Sequence, residues 1–171
     1  MKKMLCLVTL LCLMAFPALA QQVSDTLAPA YSDSSAQMLS LEMEDGLQKT
    51  TFWLPKSNEI LEHYYDSTLN QVILDKFELQ GDEGGSSIVL TETEAQAKVL
   101  EVYPDASIAY TKCEIDDRRY HYEIVFTTAE FAGVTEVNAA TGMLMKRELY
   151  YVTQGGLSLQ SAQEAILAQW P

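Results

Sequence analysis

The feature that most constrains the fold is an internal repeat near the C-terminus. Residues 90–104, LTETEAQAKVLEVYP, align without gaps on residues 157–171, LSLQSAQEAILAQWP. The two segments share a leading leucine, an Ala-Gln pair, an apolar pair, an aromatic residue and a final proline. Because such self-similarity marks a repeated structural unit, both segments are predicted to form the same element, an amphipathic helix.

The first copy carries helix signals at both ends. Thr91 and Glu94 have the spacing of a capping box, in which the hydroxyl and the carboxylate each bond a backbone amide of the first turn. Pro104 forbids continuation of the helix. Four apolar positions between these limits fall on one side at about 100° per residue; they are Ala95, Val99, Leu100 and Tyr103.

A second repeat lies in strand-like sequence. Residues 52–61, FWLPKSNEIL, align on residues 135–144, TEVNAATGML, and place Asn58 where the later copy has Gly142. Glycine readily takes a positive φ, and asparagine is among the few other residues that do so. Both positions are therefore predicted to reverse the chain between two strands. Asp45-Gly46, between alternating apolar and polar residues, predicts a further hairpin.

The N-terminus has the pattern of a secretory signal peptide. Two lysines precede a short apolar run, and a small-x-small site ends at Ala20. Cleavage after Ala20 predicts a secreted or periplasmic protein without stable membrane insertion. A retained membrane anchor is the alternative, which the short run and Pro17 disfavour. A lipoprotein is also disfavoured, because Cys6 and Cys12 lie inside the apolar run.

Charge and cysteine content exclude several function classes. The chain of 171 residues has a formal net charge of -13. Such an acidic surface repels nucleic acid and anionic lipid, so neither is an expected partner. Cys113 is the one cysteine left after processing, so no internal disulfide is expected. Its place in the alternating segment AYTKCEI predicts a packed thiol on the inner face of a strand.

The complete unit resembles the PepSY domain family. The family's helix pattern stands here as ETEAQAKVLEVYP, and its strand patterns stand as YHYEIVF and VNAATGMLM, with Asn138 where the family usually has Asp. The resemblance implies an α+β fold class, with PepSY-like units of an amphipathic helix packed on an antiparallel β-meander. It also implies a protein or peptide partner, such as a secreted peptidase that the protein inhibits or modulates.

The repeats and the resemblance together divide the chain into segments, with a partial or permuted second copy of the unit. We expect the terminal helix to pack on the first sheet, the rival being that it docks on a partner molecule. The predicted segments are a signal peptide at 1–20, a flexible leader at 21–37, a partial PepSY-like sheet at 38–79, a linker at 80–87, a PepSY-like domain at 88–152 and a terminal helix at 156–171.

Two groups of residues are candidates for partner binding. Tyrosines recur in the predicted strands, and a charged segment forms a predicted hairpin tip. The candidates are Tyr120, Tyr122, Tyr150, Tyr151, Asp116, Asp117, Arg118 and Arg119. No catalytic, cofactor or metal site is predicted, since His63 and His121 lack zinc-site spacing and the acidic stretches beside glycine do not follow the calcium-loop pattern.

The leading prediction is therefore a protein or peptide interaction module that is not an enzyme. It would act by stoichiometric binding through an edge strand or hairpin tip. The alternative is a carrier or sensor of an apolar small molecule or lipid, with a cavity lined by Met143, Met145, Leu149 and Phe126. An enzyme ranks third, because it requires a cleft joining His121 to a carboxylate or to Cys113.

Overall fold

Two consecutive four-stranded meanders form one continuous antiparallel sheet. The computed structural model describes residues 35–81, 85–116 and 118–152, together with Glu164, which is helical. The first meander comprises β1 (Gln37–Glu44), β2 (Leu47–Leu54), β3 (Glu59–Asp66) and β4 (Gln71–Leu79). The helix α1 (Glu92–Val102) follows, and the second meander comprises β5 (Ser107–Asp116), β6 (Arg119–Thr127), β7 (Phe131–Asn138) and β8 (Leu144–Tyr151).

The last strand of each meander pairs with the other, which sets the sheet order β1-β2-β3-β4-β8-β7-β6-β5. The register along this seam runs from Leu74 opposite Tyr150 to Glu78 opposite Lys146. The pairing satisfies backbone groups that each meander would otherwise expose at an edge.

The predicted fold class, α+β units of a helix on a meander with a partial or permuted second copy, is therefore wrong. Between residues 35 and 152 the described chain is mostly one eight-stranded antiparallel sheet, with one short helix between the meanders. The prediction treated each meander as a separate unit, because local periodicity contains no information on which distant strands pair. The β4–β8 seam instead makes both meanders parts of one sheet.

Local turn predictions are confirmed. Asp45 and Gly46 have φ values of 51° and 85°, which close the β1–β2 hairpin. Asn58 and Gly142, aligned by the second repeat, have φ values of 58° and 76°. Positive φ at both positions explains why asparagine and glycine stand there.

The helix begins with the predicted capping box. The amide of Glu94 donates to the Thr91 hydroxyl at 3.3 Å, and the amide of Thr91 donates to the Glu94 carboxylate at 2.8 Å. α1 contacts β5, β6 and β7 of the second meander. Ala95 and Val99 are fully buried there, whereas Leu100 is exposed. No helix in the described ranges is long and apolar enough to cross a membrane.

The sheet face that carries α1 is named the inner face, and the opposite one the outer face. The ring of Tyr103, at the end of α1, stacks on Phe126 with centroids 4.9 Å apart. A Cβ atom added at Gly133 would lie 2.5 Å from the same phenylalanine ring, so this strand position requires glycine. The inner-face core spans both meanders and includes Phe52, Leu61, Phe77, Ile124, Phe126 and Leu149.

Both outermost strands of the sheet are irregular. In β1 the register with β2 shifts between Met38 and Ser40. In β5 the register with β6 shifts between Ile108 and Tyr110. Each shift is a β-bulge, which adds a residue to the edge strand and increases its local twist.

Candidate functional site

The outer face is the candidate functional site. At its centre is an apolar cluster of Val125, Ala132 and Val134, flanked by Tyr110 and Tyr150. The strand register places charged side chains along one side of this cluster. One cross-strand row contains Lys112, Glu123, Glu136, Lys146 and Glu78. An apolar centre bordered by charged side chains is an arrangement that protein interfaces share.

Glu123 stands out in this row because its side chain is buried and one of its carboxylate oxygens has no hydrogen-bond partner among the described residues. It is 5% exposed and lies directly opposite Lys112 on one side and Glu136 on the other. Lys112 instead bonds Glu114 at 2.6 Å, and Lys146 pairs with Glu136 at 3.4 Å. The Oε1 atom of Glu123 consequently has no hydrogen-bond partner among the described residues.

This environment changes the proton affinity of Glu123. Burial raises the pKa of Glu123 to about 7, the negative charges of Glu114 and Glu136 add to the effect, and Lys112 opposes it. A buried carboxylate beside two like charges is unstable in its ionised form, so it takes up a proton at a higher pH than an exposed carboxylate. Near neutral pH the site therefore alternates between a neutral acid and an unpaired anion.

Tyr150 connects the apolar cluster to the charged side chains beside it. Its hydroxyl donates to the Glu148 carboxylate at 2.5 Å. Burial, followed by this hydrogen bond, raises the pKa of Tyr150, so the phenol stays a donor at neutral pH. The carboxylate of Glu148 also pairs with Lys76 across the seam, at 3.4 Å.

On the first meander, the outer face is organised around Lys49. Its ammonium group lies 2.8 Å from Glu62, 3.2 Å from Glu44 and 3.8 Å from Glu42. The hydrogen bond to Glu62 is the main cause that raises the pKa of Lys49. The lysine also lies 5.6 Å from the centroid of the Tyr64 ring. Three carboxylates around one cation leave this region negative.

The four tyrosines predicted to bind a partner do not form one surface. Tyr122 is buried on the inner face, where its hydroxyl donates to the Leu90 carbonyl at 2.8 Å. Tyr120 packs against the inner core, and Tyr151 donates to Asp75 at 2.9 Å. Tyr150 is the member of this group that lies on the outer face. Alternation along each strand separates neighbouring tyrosines onto opposite faces.

The predicted hairpin tip is the turn between β5 and β6. Asp116 and Arg119 are its closing pair in the strand register. Arg118 is exposed and has a φ of 66°, and Asp117 lies outside the described residues. The tip is thus at the end of an edge hairpin.

Cys113 is exposed, so the prediction of a packed thiol is wrong. Cys113 lies on β5, which is an edge strand of the sheet. A neighbouring strand therefore flanks Cys113 on one side only, which leaves its side chain more exposed. His121 lies on the outer face directly opposite Glu114, the neighbour of Cys113 in the chain. Because adjacent strand residues point to opposite faces, the imidazole and the thiol lie on different sides of the sheet.

The inner face also contains a buried polar array that the sequence did not predict. The Nδ1 atom of His63 lies 2.7 Å from Asp75, whose second oxygen accepts from Tyr151. Thr50 is opposite His63 in the register, and its hydroxyl and the Nε2 atom of His63 have no partner in the described part of the chain. His63 is 1% exposed and Thr50 is 0% exposed, which closes this Thr-His-Asp array to substrates.

Sequence patterns alone contain little signal for either site. His63, Asp75 and Glu123 each stand among apolar or aromatic neighbours in a strand, as many half-buried polar residues do. Their unusual surroundings result from the pairing of strands, which cannot be read from the local sequence. No cluster of three or more His, Cys, Asp or Glu side chains suited to a metal ion occurs within the described ranges.

Comparisons with known proteins leave the family open. No family model matches the chain, and no curated protein matches it. A solved structure with some likeness is a cysteine-rich secretory protein from Staphylococcus aureus subsp. aureus Mu50, with a TM-score of 0.36 and 6% sequence identity. The match covers 74% of this chain and 42% of that one, so the chain spans less than half of that protein. The PepSY resemblance stays a prediction.

Proposed function

We propose that this protein is a secreted or periplasmic interaction module that binds a protein or peptide through the outer face of its sheet, without catalysis. The observation that carries the proposal is Glu123, a buried carboxylate whose Oε1 atom has no hydrogen-bond partner among the described residues, beside a buried apolar cluster that the half-buried Tyr110 and Tyr150 flank. The chain has a formal net charge of -13, which favours a partner with a basic surface. Inhibition or modulation of a secreted peptidase is the form of this function that the PepSY resemblance implies.

The outer face has two features that favour binding, which are aromatic contact area and charged side chains. Tyr110 and Tyr150 supply broad, rigid contact area beside buried valines. The neighbouring glutamates and lysines steer an oppositely charged partner and discriminate between partners. Stoichiometric binding requires nothing more of the site than this complementarity.

The alternative, a carrier of an apolar small molecule, has less support. Of the four residues predicted to line its cavity, Phe126 and Leu149 are fully buried in the packed inner core, and Met143 is 49% exposed. A separate cavity of about 340 Å³ lies at the end of the seam. Its lining includes Asp75 and Glu130, and two carboxylates disfavour an apolar ligand.

The experiment that tests the proposal is capture of a partner from the secreted and envelope fraction by the mature chain. Two matched variants locate the contact: Glu78→Lys lies on the outer face, and Glu101→Lys lies on α1, with both residues exposed. We expect Glu78→Lys to weaken partner binding at least fivefold and Glu101→Lys to change it less than twofold. Equal effects of the two substitutions would refute an outer-face contact, and a peptidase assay on the captured protein tests inhibition.

A further inference from the structure

A small pocket lies beside Glu123, between β6, β7 and β8. Its volume is about 60 Å³, and its lining includes Val134, Glu136, Lys146 and Glu148. A cavity needs about 10–15 Å³ of such volume to hold one water molecule, so the pocket has room for a small polar head group. Glu123 lines this pocket, and its buried Oε1 atom has no hydrogen-bond partner among the described residues.

We infer that this pocket binds the cationic head group of a lysine or arginine side chain supplied by the protein partner. The inference rests on the proposed function and specifies the chemistry of the partner. It makes Glu123 the residue that receives the cation, with Val134 as an apolar wall for the alkyl stem of the incoming side chain.

The charge pairing around the pocket supports a cation from outside the chain. Glu114 is neutralised by Lys112, Glu136 by Lys146, and Glu148 by Lys76. Each nearby lysine is thus already engaged, and Glu123 is the carboxylate that remains without one. A buried carboxylate costs much less when a cation pairs with it, so complex formation removes a penalty that the free protein has.

A basic side chain fits the pocket better than a metal ion. The ion would need several oxygen ligands, and the carboxylate of Glu136 is already paired with Lys146. No metal-ligating cluster occurs in the part of the chain that the structure describes. Three carboxylates line the pocket, and those of Glu136 and Glu148 are paired with lysines. The carboxylate of Glu123 is left to form a charge-assisted hydrogen bond with a lysine or arginine head group.

In the free protein a proton replaces the missing cation. Because the pKa of Glu123 is raised to about 7, its carboxyl group is partly protonated near neutral pH. A cation that enters the pocket favours the ionised carboxylate and expels the proton. Partner binding is therefore coupled to proton release, and this coupling depends on Glu123.

A first test needs no natural partner. Carbon-13 NMR follows the side-chain carboxyl of Glu123 while an acetylated, amidated Gly-Arg-Gly peptide is added, with Gly-Gln-Gly at equal ionic strength as the control. We expect the arginine peptide, and not the glutamine peptide, to lower the pKa of Glu123. If both peptides leave its titration unchanged, the pocket does not accept a cationic side chain and the inference is overturned.

A second test uses the captured partner and calorimetry in two buffers of different ionisation enthalpy. Glu123→Gln should weaken binding at least tenfold and abolish proton release. Glu101→Gln, which changes an exposed carboxylate on α1 away from the outer face, is the control and should change affinity less than twofold. If Glu123→Gln binds like the unmodified protein, the inference fails while the outer-face function stands. If the peptide test succeeds and no partner binds, the proposed function fails instead.

Discussion

The guanidinium carbon of Arg147 lies 4.3 Å from the ring centroid of Phe77, directly across the seam between the two meanders. The same guanidinium contacts the carboxylate of Glu59 and lies 3.4 Å from the hydroxyl of Tyr103. One side chain on β8 thus joins β3, β4 and the end of α1. The seam is stabilised by this buried cation as well as by backbone pairing.

We expect Arg147→Met to lower the free energy of unfolding by about 3–5 kcal/mol, because it leaves the buried Glu59 without a cation. Urea denaturation followed by tryptophan fluorescence measures the change. The double variant Glu59→Met/Arg147→Met removes both charges and should be more stable than the single variant. A double variant less stable than Arg147→Met would contradict this explanation of the seam.

Gly133→Ala should destabilise the protein by about 1–3 kcal/mol through overpacking, since its new Cβ atom would meet the Phe126 ring. Phe126→Leu shortens that ring's reach and should partly relieve the clash. In a double-mutant cycle by urea denaturation, the two effects should therefore be less than additive. Strict additivity would show that the two positions do not interact.

Glu123→Gln should remove a pH dependence of stability. The pKa of Glu123 is about 7 in the folded protein and near the ordinary value of 4.5 when unfolded. Between these pH values the folded state binds more protons than the unfolded state. The stability that Glu123 contributes is therefore fully present below about pH 4.5 and is lost as the pH rises through 7. The loss is on the order of 3 kcal/mol.

Denaturation of the two proteins at several pH values checks this sign. Glu123→Gln should match the unmodified protein near pH 4 and exceed it in stability at pH 8. The exposed Glu78→Gln should follow the unmodified protein throughout. A Glu123→Gln variant that is less stable at pH 8 would mean that the carboxylate has a stabilising partner.

The terminal helix predicted at 156–171 lies outside the described residues, apart from the helical Glu164. The inner face of the first meander buries Phe52, Leu61 and Phe77, whereas α1 contacts strands of the second meander. We expect deletion of residues 156–171 to destabilise the protein and promote aggregation. Light scattering and thermal unfolding measure both effects. Unchanged stability would favour the rival, in which the segment docks on a partner.

Local sequence patterns predicted the local structure well. The Thr91–Glu94 capping box and the turns at Gly46, Asn58 and Gly142 depend on a few neighbouring residues, and the structure confirms them. The β4–β8 pairing was not predictable in this way, because it joins strands about 70 residues apart. This one long-range pairing joins the two meanders into a single sheet, and the predicted fold class was wrong because it lacked the pairing.

The candidate site shows the same limit. Glu123 becomes exceptional only when the register places it between Lys112 and Glu136 while each neighbouring lysine engages another glutamate. Cys113 was assigned to a packed position because alternation indicates a face, and alternation does not show whether a strand is central or at an edge. Tyrosine recurrence likewise did not identify a shared surface.

The two bulged outer strands determine how far this sheet can grow. A regular edge strand offers a row of free amide and carbonyl groups on which a second molecule can stack and extend the sheet into a filament. Here β1 and β5 are both interrupted, after Met38 and after Ile108. The interruptions disturb that template at both edges and so disfavour the addition of a ninth strand.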